Sequence, residues 1–127
     1  MMLEQRGDWL DIFAGGGGAS TGIEEAIGKP PRWAINDCEA AIAMHERNHR
    51  ATLHFCRSVM EVWPDDLGAN EQIEGIWASP DCTHFSRALG GVPREKKIRA
   101  LAWIVITWAE AKLPRFIFVE NVPEFLD

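Results

Sequence analysis

Apolar and polar positions along the chain sort into short apolar runs separated by amphipathic stretches. Trp9-Leu10-Asp11-Ile12-Phe13-Ala14 is predicted to be a strand, cut off by the four glycines Gly15 to Gly18. Thr21 to Ile27 then sets Ile23, Ala26 and Ile27 at helical spacing, with a stop at Gly28 and Pro30-Pro31. Arg32 to Asn36 predicts a second strand, Glu39 to His49 an alanine-rich helix, and Leu53 to Ser58 a weaker third strand. Ile76-Trp77-Ala78 predicts a fourth strand, ended by Ser79-Pro80. The longest helix is expected over Ile98 to Ala111, introduced by Pro93 and a charged first turn. Phe116-Ile117-Phe118-Val119 is an unbroken apolar run, which suits a strand covered on both faces. Strands and helices in alternation predict an α/β fold built on an open, mostly parallel sheet. Without repeats, low-complexity segments or linkers, residues 1–127 are expected to form one incomplete domain.

Composition narrows the class. The 127 residues are 46% apolar and 25% charged, a globular balance with enough apolar material for a core. No run approaches 18 apolar residues, and Met1 to Arg6 lacks a basic-then-apolar leader pattern. Cys38, Cys56 and Cys82 form an odd set without paired spacing, which points to a reducing, cytoplasmic setting. Thirteen Lys and Arg against nineteen Asp and Glu leave a formal charge of −6. A general basic face for gripping DNA phosphates is therefore excluded, and only a local patch remains available.

Several residues carry candidate chemistry. A glycine turn between strand and helix lets a ligand approach the backbone, although the spacing misses G-x-G-x-x-G. Asp37 follows the second strand about 20 residues later, where α/β nucleotide folds hold ribose hydroxyls. The same residue would also serve as a cap for the Glu39 helix. Pro80-Asp81-Cys82-Thr83-His84-Phe85-Ser86 follows the fourth strand directly. Active sites of open parallel sheets lie beyond the carboxyl ends of their strands, so Cys82 is placed as a nucleophile. For an isolated cysteine the alternative is a small buried hydrophobe. Glu120 leaves the last apolar run, where burial would raise its pKa and let it hold a proton; the alternative is an ordinary surface acid.

Together these segments resemble the DNA cytosine-5 methyltransferases. Asp11-Ile12-Phe13-Ala14-Gly15-Gly16-Gly17-Gly18 is similar to that family's opening S-adenosylmethionine turn, and Asn36-Asp37-Cys38-Glu39 to its ribose-binding step. Pro80-Asp81-Cys82 resembles the catalytic proline-cysteine loop, and Glu120-Asn121-Val122 the Glu-Asn-Val motif. The resemblance implies a Rossmann-like methyltransferase fold with S-adenosylmethionine as cofactor and double-stranded DNA as partner. It also implies a flipped cytosine. Cys82 would then add to C6 while Glu120 keeps N3 protonated, and Asn121 would fix the loop. Phe13, Ala14, Gly15, Gly17 and Gly18 would border the cofactor with Asp37, Cys38, Ser58 and Pro80. Ser86, Arg87, Arg94, Lys96 and Lys97 would meet DNA from a loop hinged at Gly90-Gly91.

The sequence departs from the family pattern in places. Asp81 lengthens the proline-cysteine step by one residue, Cys38 stands where an aromatic usually stacks on adenine, and the third-strand acid is replaced by Cys56 or Ser58. Relatives need further strands and a target-recognition domain, so the fifth strand is expected to be left as an edge. That shortfall suggests a cofactor-binding subunit with a complementing C-terminal chain, or a non-catalytic remnant. A different class is offered by His45-Glu46-Arg47-Asn48-His49, which matches the zinc-protease pattern H-E-x-x-H. His54 falls outside the extended form of that pattern, and no later glutamate supplies a third ligand, so no metal is expected.

Overall fold

The computed structural model describes residues 7–80 and 93–121. Its elements are β1 (Asp8–Ile12), α1 (Gly18–Ile27), β2 (Trp33–Asn36), α2 (Glu39–Asn48), β3 (Leu53–Cys56), a 3-10 turn (Pro64–Leu67), β4 (Ile73–Ala78), α3 (Arg94–Lys112) and β5 (Phe116–Val119). All neighbouring strands are parallel, in the order β3-β2-β1-β4-β5. From β1 the chain steps to β2 on one side, and from β4 it steps to β5 on the other. Right-handed crossovers then put α1 and α2 on one face of the sheet and α3 on the opposite face.

The pleat sorts side chains accordingly. Leu10 and Ile12 of β1 are in register with Trp33 and Ile35 of β2 and with Ile76 and Ala78 of β4. This face packs on Leu101, Ile104 and Trp108 of α3 and is closed by Val59, Val62 and Leu67 from the β3–β4 connection. Each fully buried Leu or Ile there contributes about 1.5–3 kcal/mol. The other face carries a second row in register, Phe118, Trp77, Asp11, Ala34 and His54, which runs across all five strands. Trp9 stacks on Phe116 and Phe118 at centroid distances of 6.2 and 6.0 Å, beside that row.

Several boundaries differ from the sequence expectation. Phe13 and Ala14 lie in the turn, not in β1, because Phe13 adopts φ +62°. α1 begins at Gly18, ahead of Thr21. β4 begins at Ile73, its buried Glu74 being paired to Arg115 at 2.9 Å. α3 begins at Arg94, four residues before Ile98. Among the described residues β5 is not covered on both faces: there it pairs with β4 alone, and Ile117, Phe118 and Val119 are substantially exposed.

Candidate functional site

At the carboxyl end of β1 the backbone turns sharply. Phe13 (φ +62°), Gly15 (φ +53°) and Gly17 (φ +104°) all lie in the left-handed half of conformational space. The Ala14 amide donates to the Ile35 carbonyl at 3.0 Å and the Gly17 amide to the Ala14 carbonyl at 3.2 Å, which pins the turn to β2 and to itself. Gly17 sits directly over two imidazoles: a Cβ there would lie 3.2 Å from ring atoms of both His45 and His49. A Cβ at Gly16 would run into the Met44 methyl group. On the outer side the turn is open, since a Cβ at Gly15 or Gly18 would meet nothing within 4 Å. The turn thus has a packed underside and a free upper side at the N-terminus of α1.

The remaining strand ends gather along the same edge. β1 and β4 are the adjacent strands from which the chain leaves in opposite directions, the switch point where open α/β sheets form their ligand crevice. Asp37 is exposed after β2, and the Asn36 Oδ1 accepts from the Cys38 amide at 2.8 Å, so the turn into α2 is set by Asn36. Asp37 is not the cap of that helix; Cys38 holds that position without a side-chain bond. After β3, Ser58 Oγ accepts from the Met60 amide at 3.2 Å. The nearby Cys56 thiol is held above its usual range, by desolvation and then by the acidic groups of Glu39 and Asp37, and stays protonated at neutral pH. The Glu120 amide donates to the Ala78 carbonyl at 2.9 Å, and Asn121 Nδ2 donates to the Pro80 carbonyl at 3.4 Å. Asn121 thereby ties the exit of β5 to the exit of β4.

Two expectations change. Glu120 is exposed, because the strand that carries it is an edge, so burial within these residues does not supply a low-dielectric environment. Arg94, Lys96 and Lys97 belong to the first turn of α3, the charged first turn expected behind Pro93, and not to the loop that the resemblance implies; the Lys96 amide donates to the Pro93 carbonyl at 3.0 Å. Cys82, Ser86 and Arg87 lie outside the described residues, as does the Gly90-Gly91 hinge.

Sequence reasoning missed what lies under the turn. Asp11 Oδ2 accepts from Ser20 Oγ at 2.6 Å, Ser20 Oγ lies 2.9 Å from His45 Nε2, and His45 Nδ1 lies 2.7 Å from His54 Nε2. Asp11, Ser20 and His45 are all fully buried. Burial pushes the Asp11 carboxyl up to about 7, against the pull of its bond to Ser20. It pushes His45 down to about 4, helped by the neighbouring His54 and His49. His49 bonds Thr21 Oγ1 through Nε2 (3.2 Å) and Glu24 Oε2 through Nδ1 (3.0 Å). These two histidines therefore spend their ring nitrogens on protein partners, and no group of three ligating side chains suited to a metal occurs among the described residues. The zinc-protease pattern finds no support. The signal for the network was present in sequence: Ile42, His45 and His49 fall at i, i+3 and i+7, on one buried stripe of α2.

Residues 8–127 match the family model described as C-5 cytosine-specific DNA methylase. The chain is 30% identical over 130 residues to the Type II methyltransferase M1.BsuMI of Bacillus subtilis (strain 168), covering 89% of this chain and 30% of that protein. Its fold superposes with a TM-score of 0.74 on an E. coli prophage-encoded protein assigned as a DNA modification methyltransferase, at 25% identity over 95% of this chain and 33% of the other. It also superposes, at 14% identity and a TM-score of 0.59, on the plantazolicin methyltransferase BpumL in complex with SAH, over 91% of this chain and 39% of that one. The chain thus spans about a third of the length of the B. subtilis and E. coli proteins.

Proposed function

Because this chain belongs to the C-5 cytosine-specific DNA methylases, we propose that it carries the cofactor-binding and catalytic segments of a DNA cytosine-5 methyltransferase. The observation that carries this reading is the turn from Phe13 to Gly18, packed below and open above, at the switch point of a parallel sheet. The open side at Gly15 and Gly18 is where a bulky ligand fits and where a side chain would intrude. Phe13, Ala14, Gly15, Gly17 and Gly18 would hold S-adenosylmethionine, with Asp37 on the ribose, Cys38 and Ser58 beside the adenine and Pro80 near both ligands. Bound there, the cofactor supplies a methyl group made electrophilic by its sulfonium. A methyltransferase of the same fold has been crystallised with SAH, in keeping with this assignment.

In this reading the chain's own groups perform the rest. The Cys82 thiolate adds to C6 of a cytosine flipped out of double-stranded DNA. Glu120 holds a proton at N3, so that electron density moves to C5, which takes the methyl group; loss of the C5 proton then expels Cys82. Glu120 must be neutral for this, and its exposure in these residues means that DNA or further polypeptide provides the desolvation. Asn121, bonded to the Pro80 carbonyl, keeps the Glu120 end of β5 beside Pro80, two residues ahead of Cys82 in sequence. Ser86, Arg87, Arg94, Lys96 and Lys97 would meet DNA phosphates. Cations at the start of α3 run against the helix dipole, which favours a phosphate partner for them. Residues 1–127 would be the N-terminal portion of the catalytic domain, completed by a chain or segment bearing target recognition.

Calorimetric titration with S-adenosylmethionine tests the cofactor half. Micromolar binding, weakened about tenfold by Asp37→Ala, is expected; undiminished binding by that variant would remove Asp37 from the site. With a complementing C-terminal polypeptide, methyl transfer to DNA should appear and vanish in Cys82→Ser.

A further inference from the structure

Asp11, Ala34 and His54 stand in register across β1, β2 and β3 on the face covered by α1 and α2. The small side chain of Ala34 leaves a gap between the two titratable groups, and Ser20 from α1 and His45 from α2 fill it. The result is an unbroken hydrogen-bonded chain of 2.6, 2.9 and 2.7 Å from a fully buried carboxyl to a half-exposed imidazole. We propose that Ser20, His45 and His54 are a proton path to Asp11, and that the charge Asp11 takes up through it sets the glycine turn's preference for a cationic cofactor over its neutral product. The second part rests on the cofactor reading given above.

The balance of protons is simple. The Asp11 carboxyl gives its proton to Ser20 Oγ, the Ser20 hydroxyl proton passes to His45 Nε2, and the His45 Nδ1 proton passes to His54 Nε2. One proton leaves Asp11, one arrives at His54, and Ser20 and His45 end neutral with their hydrogen bonds reversed. His45 must be an uncharged imidazole to do this, which its lowered pKa ensures at neutral pH. The Asp11 carboxyl titrates near 7, so its charge changes in the range where the protein works.

The groups facing the path are few. On α1, Glu24 is engaged by His49. On α2, His49 lies 4.9 Å from His45 between ring centroids, and Glu46 acts on His54 from the surface. On β4 the register partner of Asp11 is Trp77, which is not titratable. Asp11 Oδ1 and Trp77 Nε1 are both buried without a hydrogen-bond partner among the described residues, and the donors that lower the Asp11 carboxyl are the hydroxyl and the backbone amide of one residue, Ser20. A buried carboxylate compensated by hydrogen bonds from a single residue, with one oxygen unpartnered, still responds to a cation placed above it. S-adenosylmethionine brings a sulfonium, whereas S-adenosylhomocysteine has a neutral thioether. Ionised Asp11 should therefore favour the former by about three- to tenfold.

Two readouts test the proposal on the whole chain. Side-chain nitrogen NMR should show the His45 proton on Nδ1 at pH 6 and on Nε2 at pH 8, with no such switch in Asp11→Asn or in Ser20→Ala. Calorimetry should show the ratio of S-adenosylhomocysteine to S-adenosylmethionine dissociation constants rising from pH 6 to pH 8 in the parent chain. That rise should be absent in Asp11→Asn and moved to higher pH in Ser20→Ala, which remains available if Asp11→Asn does not fold. A His45 tautomer unchanged across the range overturns the proton path. A ratio that ignores pH overturns the coupling. Failure of both ligands to bind at any pH overturns the cofactor reading and the coupling with it, and the tautomer readout keeps that failure distinct.

Discussion

Replacing Gly17 by alanine isolates what the glycine turn requires of its underside. An L-residue at φ +104° costs about 1–2 kcal/mol in backbone strain alone. The new Cβ would also sit 3.2 Å from carbons or nitrogens of His45 and His49, so both rings must yield by a few tenths of an ångström. Neither yields freely, because His45 is held by Ser20 and His54, and His49 by Thr21 and Glu24. Weakening one of these bonds costs about 1 kcal/mol more. The sum is about 2–3 kcal/mol, a large share of the ~5–15 kcal/mol that holds a domain together. In urea, with a slope of about 2 kcal/mol/M, the unfolding midpoint should fall by about 1–1.5 M. Gly18→Ala is the counterpart. Its Cβ meets nothing within 4 Å and it begins α1, so stability should be unchanged or raised by up to ~1 kcal/mol. Calorimetry should nevertheless show S-adenosylmethionine affinity reduced about tenfold, because the methyl group occupies the open side. Equal midpoints for Gly17→Ala and the parent chain, or full affinity in Gly18→Ala, would refute the division into packed and open sides.

Two further outcomes concern stability. Folding raises Asp11 from 3.8 to about 7, a contribution complete below 3.8 and lost as pH climbs to 7, whereas it lowers His45 from 6.5 to about 4, a cost that appears as pH falls from 6.5 to 4. The two slopes oppose one another between pH 4 and 6.5; relative to the parent, Asp11→Asn should lose about 2–3 kcal/mol on acidification from 6.5 to 4.5, and His45→Gln should gain a similar amount. Urea midpoints at the two pH values check this, and parallel behaviour of all three proteins would exclude it. Gly75→Ala would place a Cβ 2.5–2.6 Å from three ring carbons of Trp9, so the indole must move. A loss of about 1–3 kcal/mol is expected, read as a thermal midpoint lower by about 4–10 °C, and an unchanged midpoint would show that Trp9 shifts without cost.

Much of this architecture could be read from apolar spacing. The alternation of Leu10 and Ile12, of Trp33 and Ile35, and of Ile76 and Ala78 marks one buried face, and the glycines after Ile12 mark its end. The errors have physical causes. Phe13 and Ala14 are as apolar as the strand they follow, and hydrophobicity carries no information about a positive φ. Glu74 hid the start of β4, because a buried carboxylate is admissible only with a partner, and Arg115 lies 41 residues away. The charged first turn of α3 behind Pro93 was legible, although no apolar stripe begins before Ile98 and the family resemblance assigns the same residues to a loop. For the site, the glycine turn, Asp37, Pro80 and Glu120-Asn121, singled out by motif, stand at the carboxyl ends of their strands. Their underside was not, since His45 and His49 as a pair at i and i+4 suggest a metal, and only the position of Ser20 and His54 in space shows a hydrogen-bonded chain instead.

The central place of β1 also governs the order in which this sheet can be made. β1 and β2 are about 25 residues apart in sequence, but the other neighbour of β1 is β4, some 65 residues downstream. During synthesis the strand that ends in the glycine turn therefore waits with one edge unpaired until Ile73–Ala78 has emerged. Loop closure over that distance must precede any reward from the β1–β4 ladder, which slows folding and leaves a template for stray pairing in the interval. Asp11, Lys29 and Arg32 interrupt the apolar run of this half of the chain. Asp11 in the middle of β1 is then a charged gatekeeper while the chain is nascent, and becomes a buried acid that shares its proton near neutral pH only once the neighbouring strands and helices enclose it.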